Sequence, residues 1–110
     1  MGYNVKRTDA FEADLEATTR YLVGQLRSVQ AAVSLYDAIE GAIVALGATP
    51  FIHALSRKPS LHEAACREHP VKNYVIVYRV VGDEVVFLRL FHQTQLYDRL
   101  IDMSQEGGSV

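Results

Sequence analysis

The sequence predicts an α+β two-layer sandwich in which an antiparallel two-helix hairpin packs on a mainly antiparallel sheet, in the order β-α-α-β-β-β. Three observations predict it: two consecutive amphipathic stretches in the first half, strand-forming residues in the second, and a two-residue turn, Gly82-Asp83, between the strongest strands. A chain of 110 residues has room for one compact domain, expected over residues 1–104 with a flexible tail at 105–110.

The first half contains one short strand and two helices. Residues 3–8 contain strand formers, and Thr8 or Asp9 can cap a helix that ends near Arg27. Ser28 can cap a second helix, which stops at Gly47 and Pro50. The two apolar stripes are Phe11, Leu15, Thr18, Leu22 and Leu26, and then Ala32, Leu35, Ile39, Ala42, Ile43 and Leu46. So short a link predicts an antiparallel hairpin.

The second half is strand-rich. Residues 49–63 lack a sustained period and predict a loop with a short helical turn. A weak strand is expected at residues 64–68 and strong strands at 73–81 and 85–92. The turn Gly82-Asp83 joins the two strong strands, because glycine tolerates the positive φ that a hairpin turn requires. Residues 96–103 are expected to form a last helical turn.

Pairing across Gly82-Asp83 predicts which strand residues share a face. The predicted pairs are Val81 with Glu84, Arg79 with Val86, Val77 with Leu88 and Val75 with Leu90. The bulkier face, predicted to lie under the helices, carries Tyr74, Ile76, Tyr78, Val80, Val85, Phe87, Arg89 and Phe91, with Arg89 paired to an acid of the first helix or at the rim. The other face is predicted to be uncovered and to bind a partner through Val75, Val77, Val86, Leu88 and Leu90.

Composition narrows the function classes. The formal charge of −2 disfavours nucleic acid as the main partner, although residues 57–99 hold a local basic surplus. The start of the chain has no signal-peptide pattern, and a cytoplasmic protein without a membrane partner is expected. Cys66 and His69 have a spacing that metal sites use, but one such pair is a weak signal. No metal site and no cofactor are predicted.

Several segments, in order and spacing, resemble the ParE/RelE superfamily of toxins, and the ParE branch (plasmid stabilisation proteins) more than RelE. The resemblance spans roughly residues 3–100 and rests on Ala13-Asp14-Leu15, Arg20-Tyr21, residues 31–46 with Tyr36 and Ile39, Pro50-Phe51, Arg67-Glu68-His69, and Leu88-Arg89-Leu90-Phe91-His92. It implies a growth-arresting toxin of a type II toxin–antitoxin system. A cognate antitoxin would silence it in a hetero-oligomeric complex by wrapping it with a C-terminal segment.

The resemblance leaves three functions open. RelE-like members cleave mRNA on the ribosome with a basic cluster and a C-terminal tyrosine, and here Val75 stands where they carry a key arginine. The candidate catalytic residues for such a ribonuclease are His92, Tyr97 and Arg79. ParE-like members instead bind DNA gyrase without known catalysis, and the charge and Val75 favour that branch, with Arg79, His92, Tyr97 and Arg99 as target-binding residues. The third function is a non-toxic relative that only binds the antitoxin.

Overall fold

A computed structural model describes residues 2–94 of the chain; the predicted helical turn at residues 96–103 and the tail at 105–110 lie outside the described residues. The elements follow the predicted order, and the loop predicted at residues 49–63 contains a short helix, as expected. They are β1 (Asn4–Arg7), α1 (Asp9–Arg20) continued by a π-helical segment (Tyr21–Gln25), α2 (Val29–Ala48), α3 (Pro59–Glu63), β2 (Arg67–Val71), β3 (Tyr74–Val81) and β4 (Glu84–His92). The α+β prediction is confirmed.

Both long helices begin at the predicted caps. The Thr8 hydroxyl accepts the N–H of Phe11 at 3.1 Å, and the Ser28 hydroxyl accepts the N–H of Ala31 at 3.0 Å. Each bond satisfies a backbone donor that has no partner within its helix. The first helix was expected to reach Arg27, but its α-helical part ends at Arg20 and the wider π-helical segment follows.

The sheet has four strands in the order β1-β4-β3-β2, with β1 parallel to β4 and the other neighbours antiparallel. The turn at Gly82-Asp83 is confirmed, with Gly82 at a φ of +61°. The weak strand was predicted at residues 64–68 but lies at Arg67–Val71. Its start is displaced because Ala64 ends helix α3 and Ala65 has a left-handed φ of +59°, so strand pairing begins only after them.

A β-bulge alters the predicted register of the hairpin. Val81 faces Glu84 and Arg79 faces Val86 as predicted, but Val77 then faces Arg89 because Leu88 is an extra residue in β4. The predicted pairs of Val77 with Leu88 and Val75 with Leu90 are therefore wrong, and Val75 faces Phe91. Beyond the bulge, Leu90 joins the core under the helices and Phe91 joins the opposite face.

Helices α1 and α2 cover one face of the sheet, here called the helix face. Its buried core comprises Phe11, Leu15, Leu22, Ala32, Leu35, Ile39, Ala42, Leu46, Val71, Ile76, Tyr78, Val85, Phe87 and Leu90. Helix α2 is long and apolar enough to cross a membrane by length and composition alone. However, its buried residues recur at helical spacing and belong to this core, which is the pattern of a core helix in a globular domain.

The opposite face, here called the α3 face, was predicted to be uncovered, and that prediction is wrong. Val75, Val77 and Leu88 are buried there with Phe91, beneath Leu61 of α3 and Cys66. Val86 is partly buried against the same cluster, and Leu90 lies on the helix face. The loop predicted at residues 49–63 thus contains the short helix that covers this face. The five residues do not form an open apolar surface.

Strand β4 continues beyond the last residue that pairs with β1. Hydrogen bonds join helix α1 and its N-cap to this part of the β4 edge. The Asp14 carboxylate accepts Arg89 Nε at 2.7 Å, Arg89 Nη2 at 3.0 Å and the N–H of Leu90 at 3.0 Å. The Thr8 hydroxyl lies 3.0 Å from the carbonyl oxygens of both Phe87 and Leu88. The predicted pairing of Arg89 with an acid of the first helix is confirmed, and it supplies a partner for a strand edge that β1 leaves open.

Candidate functional site

An open groove of about 720 Å³ lies between the end of helix α1, the start of α2, and the adjoining ends of β3 and β4. Apolar and aromatic side chains make up most of its walls. They include Tyr21, Leu22 and Leu26 from the first helix, Leu35 from the second, and Tyr74 and Leu90 from the sheet. A concave surface with apolar walls and a few polar groups is the usual form of a binding site.

The π-helical segment shapes one wall of this groove. The N–H of Leu26 bonds to the carbonyl of Tyr21 at 3.1 Å, and the N–H of Ser28 bonds to that of Leu22 at 2.9 Å. Arg27 between them has a left-handed φ of +53°, which turns the chain back into α2. This widened ending leaves Tyr21 and Leu26 each about half exposed on the groove. Such π-helical insertions often mark functional sites.

Two predicted site residues, His92 and Leu90, line the groove. His92 is the polar one of the two. It ends β4 opposite Tyr74, whose ring it meets edge to face with centroids 5.3 Å apart. Its Nδ1 accepts the N–H of Thr94 at 3.2 Å and lies 2.7 Å from the Thr94 hydroxyl. A neutral His92 in this arrangement carries its proton on Nε2. Burial, and secondarily Tyr21, raises the pKa of Tyr74, so its hydroxyl stays protonated and is a donor, not a base.

The groove has little charge. Among the described residues that line it, Lys72 is the one lysine or arginine, and none is a carboxylate. Lys72 stands at the β2–β3 turn with a φ of +57°. A phosphate chain normally needs several cations or a nest of backbone N–H groups to balance its charge. The groove therefore suits an amphipathic protein segment better than a nucleic-acid backbone.

The structure does not bring the predicted site residues together. Arg79 lies on the α3 face and His92 on the helix face. Arg79 also stands five residues along β3 from the partner of His92, a separation of about 17 Å at strand rise. Tyr97 and Arg99 lie outside the described residues. Arg79 and His92 therefore cannot act on one reacting group within a single molecule.

Comparison with known proteins identifies the family. The family model for the ParE toxin of type II toxin-antitoxin system, parDE, matches residues 5–97. The chain belongs to the ParE toxin family. No curated protein matches the chain in sequence.

Three solved structures resemble this ParE toxin in fold. That of the chromosomal ParDE system from P. aeruginosa is 21% identical, with a TM-score of 0.66, and the match covers 82% of this chain and 95% of that one. The RelBE2 toxin-antitoxin complex from Mycobacterium tuberculosis is also 21% identical, with a TM-score of 0.59 and coverage of 86% and 95%. A mutant of E. coli toxin RelE in the free state is 14% identical, with a TM-score of 0.60 and coverage of 96% and 98%. At these identities the likeness shows the fold alone.

Sequence reasoning missed most of the groove. Tyr21 falls outside the apolar stripe of the first helix, and none of the predicted faces or sites includes Lys72. Tyr74 was assigned to the helix face, but nothing in its spacing distinguished a groove wall from a core position. One usable signal was present: Tyr74 and His92 stand at the two outer ends of the predicted hairpin, where paired strands bring them side by side.

Proposed function

We propose that this ParE toxin arrests growth in the cytoplasm by binding DNA gyrase and does not cleave RNA. One observation carries the proposal: Val75, which the family resemblance matches to a key arginine of RelE-like toxins, is 4% exposed in the core of the α3 face. An apolar side chain sealed in a core can neither contact a phosphate nor stabilise charge that develops on it. The separation of Arg79 from His92 and the scarcity of cations in the groove argue in the same direction.

We also propose that the groove, and not the α3 face, receives the antitoxin. Its apolar walls fit the nonpolar side of an amphipathic helix or an extended segment. Lys72 and the protonated Tyr74 hydroxyl offer a cation and a donor to a carboxylate of the bound segment. This assignment keeps the antitoxin as partner and moves its site away from Val75, Val77 and Leu88.

RelE-like cleavage is the second candidate, and His92 is the observation that favours it. The imidazole lies in an open groove, where an imidazolium can donate a proton as a general acid. Its Tyr74 neighbour has no role as a base because its pKa is raised. Such a ribonuclease would depend on His92 and on Tyr97 for proton transfer.

The decisive experiment induces the toxin without antitoxin and follows messenger RNA cleavage and gyrase supercoiling in parallel. We expect loss of supercoiling before any codon-phased cut, and only a modest loss of potency in His92→Gln, because a binding surface tolerates the loss of one contact. A ribonuclease that relies on His92 would instead lose ~10²–10⁴-fold in rate. His62→Gln is the matched control, since His62 is exposed on α3.

Two outcomes would reject the gyrase proposal. Codon-phased cuts that precede DNA damage and vanish in His92→Gln or Tyr97→Phe would assign the protein to the RelE-like mechanism. Growth that continues unaffected, with the chain folded and abundant, would assign it to the non-toxic antitoxin-binding class. The groove is tested separately by Tyr21→Ala, which should weaken capture of the antitoxin, with the exposed Val44→Ala on α2 as control.

A further inference from the structure

Two histidines from distant parts of the sequence meet beside the end of helix α2. His53 lies in the loop that follows α2, and His69 lies in β2. His53 Nε2 is 2.8 Å from His69 Nδ1, with the ring centroids 5.0 Å apart and the ring planes at 66°. Both side chains are half-buried, so the pair can be reached from solvent. Neither residue contributes to the groove or to the proposed function.

We propose that His53 and His69 form a two-histidine site for a late first-row divalent transition-metal ion such as Zn²⁺, Ni²⁺ or Cu²⁺. His53 Nε2 and His69 Nδ1 would be the ligand atoms, and water would complete the coordination. The proposal stands independently of the gyrase and antitoxin assignments.

The separation of the two nitrogens suits a shared ion. With metal–nitrogen bonds of about 2.0–2.1 Å, two neighbouring ligands lie about 2.9 Å apart in octahedral and about 3.4 Å apart in tetrahedral geometry. The observed 2.8 Å needs an opening of a few tenths of an ångström, which side-chain torsions can supply. Two ring nitrogens that already face each other have also lost much of the rotamer freedom that ligands give up on binding.

The protonation state of the pair also suits a metal. Two facing nitrogens can hold only one proton between them, so one lone pair is already directed at the contact. When the ion binds, the shared proton moves to the far nitrogen of the same ring, and both rings remain neutral ligands.

Both ligand backbones are fixed by bonds elsewhere. The Arg67 guanidinium donates to the carbonyl of His53 and stacks over the ring of Phe51 at 4.9 Å. His69 is held by strand pairing opposite Ile76. Imidazole ligands favour ions with high intrinsic affinity for nitrogen, an affinity that rises from Mn²⁺ to Cu²⁺, over Mg²⁺ and Ca²⁺.

The other nearby donors do not belong to this site. Cys66, three residues before His69, is buried on the α3 face, and burial raises the pKa of its thiol to about 11. His62 Nδ1 is engaged 3.1 Å from the carbonyl oxygen of Ser56. The spacing of Cys66 and His69 is thus a coincidence of sequence, and the fold joins His69 to His53 instead.

The test is calorimetric titration of the purified full chain, without a histidine tag, with Zn²⁺ and then Ni²⁺. We expect one ion per chain. Removing an outer-shell partner alone weakens metal sites about 10- to 100-fold, so loss of a direct ligand in His53→Gln or His69→Gln should cost at least ~10-fold. His62→Gln should keep the original affinity, and far-ultraviolet circular dichroism verifies that each variant is folded.

Nitrogen-15 spectra of the histidine rings of the unmutated chain give a second readout that needs no variant. Zn²⁺ should shift His53 Nε2 and His69 Nδ1 and leave the His62 and His92 nitrogens unchanged. Absence of binding up to about 1 mM ion, an affinity of only about −4 kcal/mol, would overturn the proposal. So would binding that survives in both ligand variants, or ring shifts confined to other histidines.

Discussion

The two faces of the sheet are covered by segments of very different size. Among the described residues, the long helices and the strands form a cluster of fourteen buried residues on the helix face. The cluster on the α3 face has six, and two of these are the covering residues Leu61 and Cys66. The helix face has two long amphipathic stripes that interlock with the strands. The α3 face depends on Leu61 and Cys66 for its cover, so its burial rests on far fewer contacts.

The helices that cover the two faces also differ in how they are stabilised. A helix of five residues has no independent stability in water, because nucleation fixes several residues for a single backbone bond. Helix α3 is held by the chain around it: the N–H of Cys66 bonds to the carbonyl of Leu61 at 2.8 Å, and the N–H of Ser56 bonds to that of Cys66 at 2.8 Å. We therefore expect α3 to open locally at a lower free energy than α1 or α2.

The largest effect should come from the helix face. Ile39 is 1% exposed in α2, and Ile39→Ala should lower the free energy of unfolding by ~2–5 kcal/mol, through lost burial and the cavity left behind. Val33→Ala in the same helix is the matched control, because Val33 is 47% exposed. Urea denaturation measures both. A loss below ~1 kcal/mol for Ile39→Ala would place α2 away from the sheet.

Truncation on the α3 face should cost less. Leu61 is fully buried, and Leu61→Ala should lower stability by ~2 kcal/mol, at the low end for such substitutions, because a single turn of helix can shift to fill the space. Hydrogen exchange should show faster exchange in α3 with little change in α1. Glu63→Ala, at an exposed position of the same helix, provides the control. A loss as large as that of Ile39→Ala, with uniform acceleration along the chain, would make the two faces one cooperative unit.

Local chemistry made much of the fold predictable. The Thr8 and Ser28 caps, the apolar stripes and the Gly82 turn each depend on residues within one helical turn or one hairpin, and all three are found in the structure. The pairing of Arg89 with an acid of the first helix was one of the two predicted alternatives, the other being a place at the rim, because a charged residue among buried aromatics needs a counter-charge or solvent. The family assignment followed from the order of such local features.

Tertiary contacts explain what could not be predicted. The bulge at Leu88 turns every later side chain of β4 to the other face, and no residue type announces it. Leu61 comes from a segment without periodicity and Cys66 from the predicted weak strand, so their cover over Val75 and Val77 could not be read from the sequence. The groove and the meeting of His53 with His69 likewise require chain segments that only the fold brings together.

The smallest expected effect is a loss of folding stability in acid that arises at the His53–His69 contact. The folded-state pKa of His69 is lowered, so the unfolded chain binds its proton more readily than the folded one. Its contribution to stability is therefore complete above the unfolded pKa of about 6.5 and is lost as the pH falls through the lowered folded value. Full protonation of both rings would also place two like charges across a 2.8 Å contact.

Urea denaturation at pH values from about 7.5 to about 5, a range that brackets the ordinary histidine pKa, measures this contribution to stability. A chelator is present to exclude bound metal. The unmutated chain should lose more stability over this interval than His69→Gln, which has no proton to gain at that position. His62→Gln should follow the unmutated chain, because its ring lies outside the pair. Equal pH dependence in the unmutated chain and His69→Gln would mean that the two rings do not share their contact in solution, and it would remove the geometric basis of the metal site as well.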